Sequence, residues 1–274
     1  MITKTEVKDS LSLTPKSMQL NSAWVWAVPV FSGAALAVLL LTGANVALFY
    51  WMNSLFSHAY DGLWTHLSLI ADGQFLFLFI LPFLGRRPDI VWQYILAFLL
   101  AGLYIPAMKE IFSELRPPAV LLEGSFHLIG PALQNNSFPS GHTTAAFALA
   151  GLACLLSGDN RVRFGALLLA VMVGFSRIAN GVHWPLDVLA GAMGGWLLAL
   201  AAVHLSAYWK GAQNVKTQRV FALLLIALAL WGMGSLLLKQ DDVYPGTQLL
   251  KLVFLFTSLT LCTPGLLRLF NLRK

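Results

Sequence analysis

Apolar stretches of about twenty residues recur from one end of this chain to the other. A helix of that length matches the hydrocarbon thickness of a bilayer, where every backbone N–H and C=O must be satisfied within its own segment. The sequence therefore predicts an all-α, polytopic membrane helical bundle. Its candidate spans are 24–51, 64–84, 90–109, 142–157, 163–180, 185–208, 220–238 and 247–270, about eight in all. The fourth and fifth are short, and only Gly158 to Val162 links them. Composition agrees, since 58% hydrophobic residues, 11% charged residues and a mean hydropathy of +0.72 lie outside the range of soluble domains. No internal repeat of the solenoid or inverted-repeat transporter kind is visible.

The net charge of +6 does not point to nucleic acid, because the basic residues form short clusters between apolar spans rather than one continuous face. Cys154 and Cys262 both sit inside apolar runs, without metal-ligand spacing, and read as small buried hydrophobes. Residues 1–23 carry Lys4, Lys8 and Lys16 ahead of a long apolar run with no small-residue cleavage site, which reads as a cytoplasmic segment before an anchor. With that end inside, span counting puts 13 Lys and Arg on the cytoplasmic side and only five outside: Lys109, Arg116, Arg177, Lys239 and Lys251. The orientation follows, and the outer minority asks for a reason other than topology.

Three blocks at outer helix ends supply one. Lys109 and Arg116 form Lys-x6-Arg-Pro; Pro139-Ser140-Gly141-His142 opens the fourth span; Ser176-Arg177-x5-His183-x3-Asp187 joins the fifth to the sixth. Ser140 is a good N-cap and Gly141 admits a close ligand, so unpaired N–H groups and the helix dipole favour an anion beside His142. Phosphoryl transfer needs such a set: planar Arg forks and a Lys point charge for the equatorial oxygens, one imidazole to attack and another to protonate the leaving oxygen. Pro185 suits the first position of a helix, which places Asp187 in its first turn, able to fix the tautomer of His183. Taken singly, Lys109 and Arg116 could be snorkelling residues, His183 and Trp184 part of an interfacial belt, and Asp187 a helix-start carboxylate. Their coincidence on one face argues for a site.

These blocks resemble the three signature motifs of the type 2 phosphatidic acid phosphatase family, related to the vanadium haloperoxidases and glucose-6-phosphatase, and every signature position is filled. The resemblance implies a six-span phosphatase core over 24–210, with two additional spans in 211–274. It implies that His183 is a nucleophile forming phosphohistidine, that Asp187 orients it, and that His142 is the general acid. Lys109, Arg116, Ser140, Gly141 and Arg177 would hold the phosphate. No metal or other cofactor is implied. Expected substrates are membrane lipid phosphates or pyrophosphates, such as undecaprenyl pyrophosphate, phosphatidylglycerol phosphate, phosphatidic acid or lipid A phosphate, hydrolysed at the periplasmic face of a bacterial-type inner membrane. A phosphotransferase using the same phosphohistidine, and a lipid-binding or transport protein without catalysis, are the competing readings.

The apolar connection from Pro117 to Phe138 is a candidate wall for a lateral lipid entrance. Asp72, with Gln74, is an intramembrane carboxylate with either a structural or a head-group role, the structural one favoured because it belongs to none of the three blocks. His58, His66, His127 and His204 have no partner legible in the sequence. Gly191 and Gly195 allow close packing of the sixth span, with the start of the fourth as its expected neighbour. The last two spans carry no recognisable chemistry, leaving packing, homodimerisation or a partner site.

Overall fold

The computed structural model describes residues 22–55, 60–208, 214–238 and 243–272. The N-terminal lysines, His58, Lys210, Lys239 and the last two residues lie outside that set. The described residues contain helices and no strand: α1 (Ala23–Thr42), α2 (Asn45–Leu55), α3 (Asp61–Ile70), α4 (Phe77–Ile80) running into a 3-10 turn (Leu81–Phe83), α5 (Pro88–Phe112), α6 (Pro117–Val120), α7 (Gly141–Leu156), α8 (Asn160–Ala179), α9 (Pro185–Ser206), α10 (Val215–Leu238) and α11 (Gln248–Leu269).

Among the described residues six helices, α1, α5, α8, α9, α10 and α11, are long and apolar enough to cross a bilayer, and α7 is a shorter apolar helix of 16 residues. The chain is a multi-pass membrane protein. The expected count of eight spans is not confirmed. The first predicted span breaks at Gly43, whose φ of 66° ends α1. The second, 64–84, is not one helix. The Asp72 carboxylate turns back to accept the Gln74 N–H at 2.8 Å, a local bond that competes with the helical ladder and splits the segment into α3 and α4. Leu69, Phe75, Leu78, Ile80 and Leu81 are nevertheless fully buried. High hydropathy here marks a broken segment buried in protein, where such backbone is tolerated at membrane depth.

Helix α9 is central, packing on α7 most extensively and also on α1, α5 and α8. Small residues make this possible. A Cβ at Gly195 would lie 2.1 Å from the Thr144 carbonyl oxygen, and one at Gly191 would lie 2.8 Å from that of Ser140. The two helices therefore touch backbone to backbone, as the sequence suggested, and α9 holds the start of α7 in register. Trp196, also buried, donates its indole N–H to Val25 O at 2.7 Å and ties α9 to α1.

The last two long helices dock on the broken segment rather than standing apart. Phe254 packs on Phe75 and Phe79 with ring centroids 5.0 and 5.8 Å away, and Trp92 stacks on Phe221 at 5.7 Å. Gly265 lets α11 approach so closely that a Cβ there would meet the Leu84 carbonyl at 1.9 Å. Lys251, one of the five outer cations, is buried and donates to Leu236 O at 3.0 Å, where it serves the C-terminal carbonyls of α10. Arg86, Arg87, Arg161, Arg163, Lys216, Arg219 and Arg268 all fall at the helix ends opposite Lys109 and Arg177.

Gly195→Ala should destabilise the protein by about 2 kcal/mol, since the added methyl meets backbone that cannot rotate away. Thermal unfolding in detergent reads this, and an unchanged midpoint would contradict the close α7–α9 contact.

Candidate active site

Three short connections at one end of the bundle carry the motif residues. Helix α5 ends where Ser113 adopts a left-handed φ of 46°, which sends the chain to Arg116 and the loop beyond it. That loop is bound to the last motif: the Trp184 indole donates to Leu115 O at 2.8 Å, and Ile129 N donates to Asn180 O at 3.1 Å. Helix α7 begins after Ser140, whose Oγ accepts from Thr143 N at 3.4 Å and from Thr143 Oγ1 at 2.9 Å. Helix α9 begins at Pro185, and the otherwise unpaired Leu186 N–H is taken by Asn45 Oδ1 at 3.1 Å.

Asp187 is the meeting point of these pieces. Its Oδ2 accepts from Ser137 Oγ at 2.5 Å, from Trp184 N at 2.8 Å and from His183 Nδ1 at 3.1 Å, and its main-chain carbonyl accepts from Ser140 N at 3.0 Å. On the far side of the ring, Arg116 Nη1 lies 3.2 Å from His183 Nε2. Arginine can only donate, so Nε2 is the acceptor and Nδ1 carries the proton given to Asp187. The sequence pairs Asp187 with one ring nitrogen without saying which; in the structure it is Nδ1. Burial, then the charges of Arg116, Arg177 and Lys109, hold the His183 imidazole well below the ordinary histidine value of 6.5. The ring is therefore neutral, with Nε2 unprotonated.

The cations are held in different ways. Arg116 donates from Nε to Asn135 O at 2.8 Å, from Nη2 to Asn136 O at 3.3 Å and from Nη1 to Val182 O at 3.1 Å. Arg177 is buried, and its Nε has no hydrogen-bond partner. A buried guanidinium N–H without an acceptor is costly, and it is a donor available to an anion. Lys109, half-buried near the end of α5, lies close enough for its charge to act on Arg116, Arg177 and Asp187. His142 belongs to the same cluster, within electrostatic reach of Arg177, His183, Arg116 and Lys109. All eight residues singled out in the sequence thus come to one end of the bundle, with Gly141 as the first residue of α7.

This arrangement can be set against known proteins. The crystal structure of LpxE from Aquifex aeolicus superposes with a TM-score of 0.53 at 33% identity, covering 58% of this chain and 94% of that one. A sequence model of the PAP2 superfamily matches residues 90–211. The chain belongs to the PAP2 superfamily. Its relatives within PAP2 include an undecaprenyl-diphosphatase of Sulfolobus acidocaldarius, 32% identical over 113 residues, which are 39% of this chain and 51% of that protein. A lipid A 1-phosphatase of Rhizobium etli is 43% identical over 106 residues, 38% of this chain and 45% of that protein. The chain spans about half the length of the curated relatives it matches. The resemblance drawn from the three motifs is borne out at the level of the family.

Several residues around the PAP2 motifs were not legible in the sequence. Ser137 grips Asp187 from just outside the second block, and Asn135 and Asn136 serve through main-chain carbonyls that no side-chain pattern announces. His127, left without a partner in the sequence, pairs with Asp61 Oδ1 at 2.9 Å, while Asn53 bonds both its N–H and its carbonyl. Most unexpected is Tyr244, from the connection between α10 and α11. Its hydroxyl donates to Asp72 Oδ2 at 2.8 Å and lies 2.9 Å from His142 Nε2. Burial, followed by the Asp72 carboxylate, pushes the Tyr244 phenol up, so it keeps its proton.

Arg116→Lys keeps the charge but cannot span the carbonyls of Asn135, Asn136 and Val182 with a single ammonium. Calorimetric titration with inorganic phosphate should show binding weakened roughly tenfold. An unchanged dissociation constant would take Arg116 out of the anion site.

Proposed function

We propose that this protein is an integral membrane phosphatase that hydrolyses a lipid phosphate or pyrophosphate through a phosphohistidine intermediate. The observation that carries the reading is the His183 ring, anchored on Asp187 at Nδ1 with an acceptor lone pair at Nε2 directed toward Arg116. In the proposed reaction, Nε2 attacks phosphorus while Arg116 and Arg177 donate hydrogen bonds to the equatorial oxygens and Lys109 adds its charge. The Ser140 hydroxyl accepts two bonds, which leaves its own proton for a phosphate oxygen, and the N–H groups at the start of α7 offer more donors. As the bond from phosphorus to the leaving oxygen breaks, that oxygen takes a proton from His142. Water then attacks the phosphohistidine, returns a proton to His142 and releases inorganic phosphate from His183. Similarity to proteins named undecaprenyl-diphosphatase and lipid A 1-phosphatase supports hydrolysis of a lipid-linked phosphate.

A lipid rather than a soluble phosphate is favoured by an apolar cavity of about 270 Å³ that reaches His142 and Gly141 between α5 and α7, with Ile105, Ala101 and Phe98 on one side and Ala145 and Leu149 on the other. Phe98 and Gly102, on α5, are exposed, so the cavity opens on the flank of the bundle. A second apolar cavity of about 470 Å³ shares Ala71, Leu76, Tyr94 and Leu149 with the first and continues to Phe83 and Arg87 at the opposite end. Together they give a tail a path through protein rather than around it. The connection 117–138 lines neither cavity and instead clamps Arg116, so the wall of the entrance is assigned to α5 and α7. The excess of basic residues at the other end of the bundle supports a site on the periplasmic side of a bacterial-type inner membrane.

Acid quenching of purified protein incubated with radiolabelled lipid pyrophosphate should trap label on His183, with His183→Ala losing both the label and turnover. Retention of turnover by that variant would overturn the nucleophile, and label recovered in a second lipid rather than as free phosphate would replace hydrolysis with transfer. Because the folded site keeps His183 neutral, the acid limb of kcat/KM should lie below pH 6.5, the ordinary histidine value. A limb at or above that value would show that His183 is not held in its basic form.

A further inference from the structure

Two imidazoles face the phosphate in the reading above, and a carboxylate anchors only one of them directly. His142, on the first turn of α7, has its Nε2 at 2.9 Å from the Tyr244 hydroxyl. A phenol has one proton, and Tyr244 gives it to Asp72 Oδ2 at 2.8 Å, so its oxygen can only accept from His142. Nε2 of His142 therefore carries a hydrogen, and the ring is fixed by a chain running from Asp72 through Tyr244. Asp72 is itself fixed: its other oxygen accepts from Gln74 N at 2.8 Å, within the turn that breaks the segment between α3 and α4. Tyr244 is buried at 6% exposure, and Thr247, fully buried, ties the connection back by donating to Tyr244 O at 2.8 Å. Both Asp72 and Tyr244 fall outside residues 90–211, to which the superfamily model corresponds.

We propose that Tyr244, oriented by Asp72, is a positioning residue for proton transfer by His142, and that the last two helices deliver it to the active site. Imidazole has two nitrogens. With Nε2–H held by Tyr244, Nδ1 is the nitrogen that gives a proton to the leaving oxygen when the phosphorus–oxygen bond breaks, and takes one from water when phosphohistidine is hydrolysed. The arrangement mirrors His183, whose Nδ1 is anchored and whose Nε2 reacts. The charges of Arg177, His183, Arg116 and Lys109 also act on His142, and every one of them is a cation or can become one. Asp72, reached through the phenol, is then the acidic group that answers them on the His142 side, and its charge also acts on Arg177. This assignment rests on the phosphatase reading and adds a residue to it.

The leaving group separates positioning of an acid from a merely structural contact. An alkyl phosphate monoester, as in a lipid, expels a poor leaving group that must be protonated, whereas p-nitrophenyl phosphate expels a stable phenolate that needs little help. Tyr244→Phe keeps the ring and removes the hydroxyl. Its kcat on the alkyl phosphate should fall at least tenfold further than its kcat on the aryl phosphate, with KM for each little changed. Asp72→Asn keeps an acceptor for the Tyr244 proton and should retain more of the alkyl activity than Asp72→Ala. Equal losses on both substrates in Tyr244→Phe, or a change confined to KM, would overturn the proposal. If His183→Ala were as active as the unaltered protein, the phosphatase mechanism itself would fail instead, so the two failures are distinct. Should Tyr244→Phe unfold, the Asp72→Asn and Asp72→Ala pair carries the same comparison.

Discussion

One carboxylate holds the active end of this bundle together. Asp187 receives three hydrogen bonds on a single oxygen and a fourth on its main-chain carbonyl, and the donors come from the loop before α7, from the helix cap of α7, and from the turn that carries His183. A buried carboxylate is expensive unless it is fully satisfied, and satisfaction here requires each of these segments to be in its native place. The cost of burying one charge thus becomes a condition on two connections, the one that leads into α7 and the one between α8 and α9. The close approach of α7 and α9 through Gly191 and Gly195 supplies the same registration from the hydrophobic side. Helix contact fixes the axes, while the Asp187 network fixes what protrudes from their ends.

The balance of charge follows. Arg116, Arg177 and Lys109 meet two carboxylates, Asp187 and Asp72, which leaves a surplus of positive charge in a site partly screened from water. Arg116 already commits four of its five N–H groups to main-chain carbonyls and His183, whereas Arg177 keeps a buried Nε without a partner. Such asymmetry suits an anion that binds in one orientation. In the proposed reaction, Arg116, held by main-chain carbonyls, sets the position of phosphorus relative to Nε2, and an arriving oxyanion gives Arg177 its missing acceptor.

Much of this was legible in the sequence because it lies in local patterns. Pro-Ser-Gly-His announces a helix start, Pro185 and Asp187 announce another, and counting apolar spans brings all three motifs to one face. The second predicted span failed for a physical reason: hydropathy reports burial in an apolar medium, and a segment broken by Asp72 and buried in protein scores like a helix in lipid. Tyr244 was invisible because its meaning depends on contacts 102 and 172 residues away in the chain, and no spacing rule joins a phenol in a late connection to a carboxylate in an early one. Asp72 was noticed for its cost alone. Its partner was the missing information.

The two histidines show how the same fold can ask different things of one side chain. A nucleophile develops positive charge on its ring as the new bond forms, and a carboxylate in direct contact with Nδ1 stabilises that charge where it appears. A proton donor has the opposite requirement, since a carboxylate in direct contact would hold the proton as tightly as it positions the ring. Placing a neutral phenol between Asp72 and His142 keeps the orientation and moves the negative charge one residue further away. In the proposed mechanism the connection between α10 and α11 gives the acid a milder anchor than Asp187 gives the nucleophile, and seats it on a turn whose carboxylate is already fixed by Gln74 N.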